Sequence, residues 1–453
     1  MQRTVVINVV GLTSKWIGAH TPFLKQWSGT RWKAAIKPVL PAVTCSAQST
    51  YLTGQWPDRH GVVGNGWYFH DECEVKFWRQ SNHLVQAPKI WDQARKLDPA
   101  FTCANLFWWY NMYSSVDFSV TPRPNYLADG RKIPDIYSHP SELRDQLQSE
   151  LGTFPLFDFW GPRTSIKSSK WIADAAKHTE REYRPTLSLV YLPHLDYNFQ
   201  RHGQNESKVA ADLKEIDQVC ADLVSFYEDQ KVQVIILSEY GITDVNNPIA
   251  LNRELRRQGY LQIREERGLE LLDAGASRAF AVADHQIAHV YVNEPAFIPE
   301  VKQLLESTQG VEQVLDLNAK KENHLDHNRS GDLIAIANKD SWFSYYYWLD
   351  DKKAPDFART VDIHKKPGYD PVEMLIDPQI KFLAPKVAGK LIKKKIGFRT
   401  LMDLIPLDDS LIKGSHGRIP ESKEDWPLLI SNSPTEELLA TEVFQVILKH
   451  LTG

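Results

Sequence analysis

Short apolar runs bounded by polar or turn residues punctuate the chain at Val5–Val10, Leu187–Leu192, Val232–Leu237, His289–Val292 and Leu333–Ala337. Runs of this length without alternation suit strands buried on both faces of a mostly parallel sheet. Between them, Lys89–Lys96, Ser168–His178 and Ser207–Asp229 carry the apolar spacing of helices. The alternation predicts an α/β fold with a mostly parallel central sheet and helices on both faces. Two stretches, 69–162 and 251–366, keep this rhythm less well and are expected as cap segments inserted beside the core. The first holds the aromatic run Phe107-Trp108-Trp109-Tyr110. No repeat, low-complexity tract or linker divides the chain, so 1–453 is expected to be one domain. Ligand sites in such sheets gather at the carboxyl ends of strands. Two polar clusters fall there: Asp196 shortly after Leu187–Leu192, and Glu239-Tyr240 directly after Val232–Leu237.

Composition narrows the partners. Apolar residues make up 42%, charged residues 24%, and the net charge is -4. No global field would gather nucleic acid. No run of about 18 apolar residues predicts a membrane-spanning helix, and the N-terminus lacks a secretory pattern. Cys45, Cys73, Cys103 and Cys220 are scattered without metal spacing and are expected as free thiols in a reducing cytoplasm. The 14 tryptophans are expected mostly in the core. Lysines from Lys386 to Lys395, among Leu, Ile and Val, could meet an anionic lipid or prenyl phosphate. A solvated face is the preferred expectation for that stretch.

The chemistry concentrates between Pro41 and Asn65. Thr44 stands where a helix would open, Thr53-Gly54 where it would end, and Pro57-Asp58-Arg59-His60-Gly61 forms a turn leading to Asn65. A hydroxyl at a helix N-terminus lies among unpaired N–H groups, which favour a phosphate and a developing alkoxide. Asn65 could donate an amide hydrogen bond to a phosphoryl oxygen. Taken singly, Thr44 could equally be an N-cap and Asn65 a turn residue; the register of the whole segment favours the catalytic reading. The segment resembles the nucleophile region of the nucleotide pyrophosphatases/phosphodiesterases of the alkaline-phosphatase superfamily, and it is similar to that of phosphonoacetate hydrolases. The sulfatase branch is disfavoured, since Cys45-Ser46-Ala47-Gln48-Ser49 lacks its Pro and Arg.

The resemblance implies a two-zinc site that holds the phosphate and polarises the hydroxyl. Carried over position by position, the ligands are incomplete. Val10 stands where the first strand should end in Asp, and Asn8 lies two residues earlier on the same face. In Asp196-Tyr197-Asn198-Phe199-Gln200-Arg201-His202, Asp196 matches, Gln200 replaces an imidazole and His202 matches a more variable one. In Ser238-Glu239-Tyr240-Gly241, Glu239 keeps a carboxylate while Tyr240 replaces a His and becomes a candidate substrate contact. His416 matches the last ligand. Asp196, Gln200, His202, Glu239 and His416 are therefore the candidate metal ligands, for one divalent ion (zinc) or two. Asp284, His285 and His289 could be relocated ligands, although a structural role is preferred for them. His327-Asn328-Arg329-Ser330-Gly331-Asp332 is expected to shape the site. The implied activity is metal-dependent hydrolysis of a phosphate ester or phosphodiester, with Thr44 as nucleophile and Asn65 beside it. The alternative is a catalytically impaired relative that binds an organic phosphate or a partner enzyme.

Overall fold

The computed structural model describes residues 1–434 and 436–453. Its centre is a nine-stranded sheet in the order Leu438–Leu439, Trp32–Lys37, Leu428–Ser431, Gln233–Leu237, Thr4–Val9, Leu187–Leu192, Cys103–Leu106, Phe118–Pro122 and Ile136–His139. The five strands from Gln233–Leu237 to Phe118–Pro122 run parallel. Antiparallel pairs flank them at both edges. Every residue of Thr4–Val9 and Leu187–Leu192 is buried, and each buried Val, Leu or Ile contributes roughly 1.5–3 kcal/mol. Helices Ile166–Tyr183 and Glu206–Asp229 pack against one another and the sheet. Helices Thr44–Thr53, Ile90–Leu97 and Val443–Thr452 form a separate layer on the sheet.

The 69–162 stretch does not lie beside the core as expected. It supplies three strands of the central sheet, Cys103–Leu106, Phe118–Pro122 and Ile136–His139. Buried Asn105, Ser119 and Thr121 interrupt their apolar runs, so the hydrophobic pattern alone does not show them. Asn105 Oδ1 accepts from the Trp108 amide at 3.1 Å, one reason a polar residue is tolerated in a buried strand.

The 251–366 stretch builds a four-stranded antiparallel sheet, ordered Ala279–Asp284, Ile287–Val292, Leu333–Ala337 and Val311–Leu315. The apolar runs at His289–Val292 and Leu333–Ala337 are strands of this second sheet. It has its own apolar cluster, which includes Phe280, Val282, Val290 and Tyr345. Its hairpin between Asp284 and Ile287 turns at His285, whose φ of 63° is left-handed.

Register sets the position of the site. Asn8 lies beside Tyr191 on one neighbour and Leu237 on the other. The carboxyl ends of the three central strands are thus level, and the chain beyond them brings Asp196, Glu239 and Tyr240 together.

Candidate active site

Thr44 is the first residue of the helix Thr44–Thr53, and Val43 occupies the cap position. Val43 makes no side-chain cap hydrogen bond. Thr44 Oγ lies 3.1 Å from the Tyr240 hydroxyl. The helix ends at Gly54, whose φ of 64° is a left-handed C-terminal stop. His60 Nδ1 accepts from the Val62 N–H at 3.1 Å, and its Nε2 lies 3.1 Å from Thr50 Oγ. The Pro-x-x-His-Gly turn is thereby fastened to the Thr44–Thr53 helix.

Asn65 joins three pieces of the protein. Its Oδ1 accepts from the Cys45 N–H at 3.0 Å, satisfying a free donor of the helix start. Its Nδ2 donates to Asp284 Oδ1 at 3.0 Å and its backbone N–H to Asp284 Oδ2 at 2.8 Å. Asp284 Oδ1 also receives His285 Nδ1 at 2.8 Å. Burial pushes the Asp284 carboxyl up to about 6 despite these donors.

Behind Thr44 the carboxylates of Glu239 and Asp196 are buried. Glu239 Oε1 accepts from the side-chain amides of Asn8 and Gln48, while Oε2 is buried without a partner. Burial raises Glu239 to about 8, opposed by the hydrogen bonds from Gln48 and Asn8. Asp196 Oδ1 accepts from Tyr240 at 3.2 Å and Oδ2 from Gln200 at 2.8 Å. Burial raises Asp196 to about 7. The Tyr240 ring stacks on His416 with centroids 3.6 Å apart and planes 7° apart. His416 Nδ1 lies 2.7 Å from the Ala42 carbonyl, so the ring donates there and leaves a lone pair on Nε2. That Nε2 has no hydrogen-bond partner and lies 3.8 Å from Asp196 Oδ1.

The structure brings together most of the expected residues: Thr44, Asn65, Asp196, Gln200, Glu239, Tyr240 and His416. One expectation changes. His202 closes the helix His194–His202, is half-buried, and takes no part in the hydrogen bonds that join Asp196, Gln200 and Tyr240. Asn8 reaches the site and donates to Glu239, while Val10 is packed in the main apolar core. Of the relocated candidates, Asp284 and His285 reach the site: the His285 ring lies 3.8 Å from that of His416 and 3.6 Å from that of Tyr369. Asp284 ends its strand and His285 forms the hairpin turn, which is what aims the pair inward. His289 is structural, with Nε2 on the Val63 carbonyl at 2.9 Å and Nδ1 accepting from the Gly331 N–H at 3.1 Å. Arg329 shapes the segment after the helix by donating to the Gly61 and Leu84 carbonyls, both at 2.7 Å. Sequence reasoning missed Gln48 and Tyr369, which are ordinary core positions by pattern. Tyr369 donates to Gln200 Oε1 at 3.0 Å.

The family described as type I phosphodiesterase / nucleotide pyrophosphatase matches residues 4–370. The chain belongs to that family. Within it, an uncharacterized pyrophosphatase/phosphodiesterase of Schizosaccharomyces pombe is 21% identical over 252 residues, covering 54% of this chain and 43% of the relative. Ectonucleotide pyrophosphatase/phosphodiesterase 1 of Saccharomyces cerevisiae is 23% identical over 270 residues, covering 54% and 34%. The chain therefore aligns with less than half the length of either curated relative. Among solved structures, murine ectonucleotide pyrophosphatase / phosphodiesterase 5 superposes with a TM-score of 0.61 at 12% identity, covering 100% of this chain and 95% of that one. Phosphonoacetate hydrolase from Sinorhizobium meliloti, in complex with phosphonoformate, gives 0.61 at 14%, covering 99% and 96%. At these identities the likeness is one of fold.

The two-zinc centre that the family resemblance implies does not fit the residues present. Each carboxylate is held by neutral donors where a second ion would need more ligands: Asn8 and Gln48 on Glu239, Tyr240 and Gln200 on Asp196. The remaining donors fit a single ion in their chemistry. Asp196 offers a carboxylate, and His416 and His285 each keep an unpartnered, buried Nε2. The Asp284 carboxylate behind His285 is the kind of partner that orients a ligating imidazole. Among the described residues the preformed cluster of three metal-ligating side chains lies elsewhere, at His194, Asp212 and Glu215. Its members are His194 Nε2 with one oxygen of each acid, both at 3.2 Å.

Proposed function

We propose that this protein hydrolyses phosphoric esters of the family's type, with Thr44 as nucleophile and one divalent ion rather than two. The observation that carries the proposal is the Thr44 hydroxyl. It stands on the first residue of a helix, against the Tyr240 hydroxyl and close to Glu239 and Asp196. Thr44 Oγ attacks phosphorus and the ester oxygen leaves, giving a Thr44 phosphoester that water then hydrolyses. Glu239, once ionised, is the base for the Thr44 proton: its Oε2 is unpartnered, and although burial alone raises it to about 8, the positive charge of a bound ion would favour the ionised carboxylate. The helix N-terminus and the second Asn65 amide hydrogen receive the phosphoryl oxygens. Asp196, His416 and His285 would hold the ion, which when bound would neutralise charge on those oxygens. The murine relative was solved as an inactive form in complex with AMP, which makes nucleotides the first substrates to test.

A second reading rests on a specific feature. Neutral side chains hold both oxygens of Asp196 and one of Glu239 without any ion, as in a relative that binds an organic phosphate and does not turn it over. Assays of bis(p-nitrophenyl) phosphate, p-nitrophenyl phosphate and nucleotide esters with added zinc or manganese separate the two. Turnover that Thr44→Ala abolishes supports the hydrolase. Phosphate binding without turnover supports the second reading.

A further inference from the structure

The stretch from Lys381 to Thr400 carries lysines throughout and no acidic residue, against a net charge of -4 for the chain. It contains the helix Leu383–Lys395, which buries none of its residues. A solvated amphipathic helix would turn its apolar side inward. This helix is mounted the other way. Its half-buried positions are Lys386, Val387, Lys390 and Lys394, and the first and third of these lysines hold it to the protein. Lys386 Nζ donates to the Asp403 carbonyl at 2.9 Å, Lys390 Nζ to the Leu401 carbonyl at 2.6 Å, and both lysines pair with the Asp403 carboxylate. At 100° per residue, Ala388 and Ile392 then lie on the side away from the protein, flanked by Leu391 and Ile396. Phe382 is 74% exposed, Ile392 61%, and Ile396 and Phe398 64% each. Exposed Lys393 and Lys395 border this surface.

A second element extends it. The strands Asn125–Tyr126 and Lys132–Ile133 form a small hairpin, and Arg399 donates to the Ala128 carbonyl at its tip. Tyr126, Leu127 and Ile133 of this hairpin are also exposed. Isolated exposed apolar side chains need no explanation, but a contiguous group bordered by cations does.

We propose that the Lys381–Thr400 helix and the 125–133 hairpin dock the protein on an anionic lipid bilayer surface. Charge complementarity selects this occupant: uncompensated lysines surround apolar side chains that project outward, the arrangement that lies in a lipid interface. No helix among the described residues is long and apolar enough to cross a membrane.

The test is co-sedimentation of the full chain with vesicles of phosphatidylcholine containing about 30% phosphatidylserine, at roughly 0.1 M salt, against pure phosphatidylcholine vesicles. The expected result is binding to the anionic vesicles that fades as salt rises. Lys393→Glu with Lys395→Glu should weaken it by at least about tenfold. Ile392→Ser, Ile396→Ser and Phe398→Ser together should weaken it by about a hundredfold. These side chains are exposed, so thermal melts of the variants should match wild type. Absence of binding by the wild type would overturn the proposal. So would binding that the variants do not alter, or self-association through the same side chains without vesicle binding.

Discussion

Asn65 and Asp284 couple the Thr44–Thr53 helix to the second sheet, and that coupling has a measurable size. Asn65→Ala removes two contacts: the charge-assisted bond from Nδ2 to Asp284 Oδ1, and the bond that satisfies the Cys45 N–H. The first contributes about 1.5–3 kcal/mol, and an orphaned buried N–H costs about 1–3 kcal/mol. The backbone bond from Asn65 to Asp284 Oδ2 survives the substitution, so the Asp284 side chain stays in place. The single variant should therefore lose roughly 3–5 kcal/mol of stability in urea unfolding. A double-mutant cycle with Asp284→Asn isolates the direct pair and should give a coupling of about 1–3 kcal/mol. Catalytic turnover should fall further than stability, since the start of the Thr44 helix loses its tether. A loss below about 1 kcal/mol, or a coupling within about 0.3 kcal/mol of zero, would refute the reasoning.

Other expectations follow from the same geometry. Folded Glu239 keeps its proton to about pH 8, whereas an unfolded glutamate loses it near 4.5. Its stabilising contribution is complete below the lower value and declines toward the higher one, by about 1.4 kcal/mol per pH unit. Glu239→Gln should then raise the melting temperature of metal-free protein at neutral pH relative to acid pH while removing turnover; an equal effect at both would show that Glu239 is already charge-paired. Burial lowers His60 to about 3 and His289 to about 4. The stability that these neutral rings contribute is complete above 6.5 and falls as pH drops toward the lower values, each by about 1.4 kcal/mol per pH unit. Denaturant titrations between neutral pH and pH 4 should show this fall, and His289→Gln should reduce its slope. Gly241→Ala would place a Cβ 1.9 Å from the Asp425 carbonyl oxygen; loss of more than about 3 kcal/mol is expected, and an unchanged melting temperature would contradict it.

The parts of the fold that were legible in the sequence are those governed by uninterrupted burial. Leu187–Leu192 and Leu333–Ala337 were bounded correctly, and Val5–Val10 and Val232–Leu237 within one residue. Periodicity could not say which sheet Leu333–Ala337 joins, because a strand covered on both faces reads alike in either. Cys103–Leu106 and Phe118–Pro122 escaped notice because hydrogen-bonded polar residues stand inside them. The Thr44–Asn65 segment was legible because its glycines and turns keep a fixed spacing. The surroundings of Thr44 were less so. Asn8, Gln48 and Tyr369 act through contacts that span the chain, and no local pattern marks them. His285 was ambiguous because spacing cannot distinguish a strand from a hairpin tip that bends a ring inward.

The central claim is that Thr44 attacks phosphorus. Acid-quenched turnover of a nucleotide ester with zinc or manganese, followed by mass spectrometry of the peptide that contains Thr44, addresses it directly. The expected result is a nucleotidyl or phosphoryl adduct on Thr44 that disappears in Thr44→Ala together with steady-state turnover. Turnover that persists in Thr44→Ala, or no adduct and no turnover with any metal and ester tried, would contradict it.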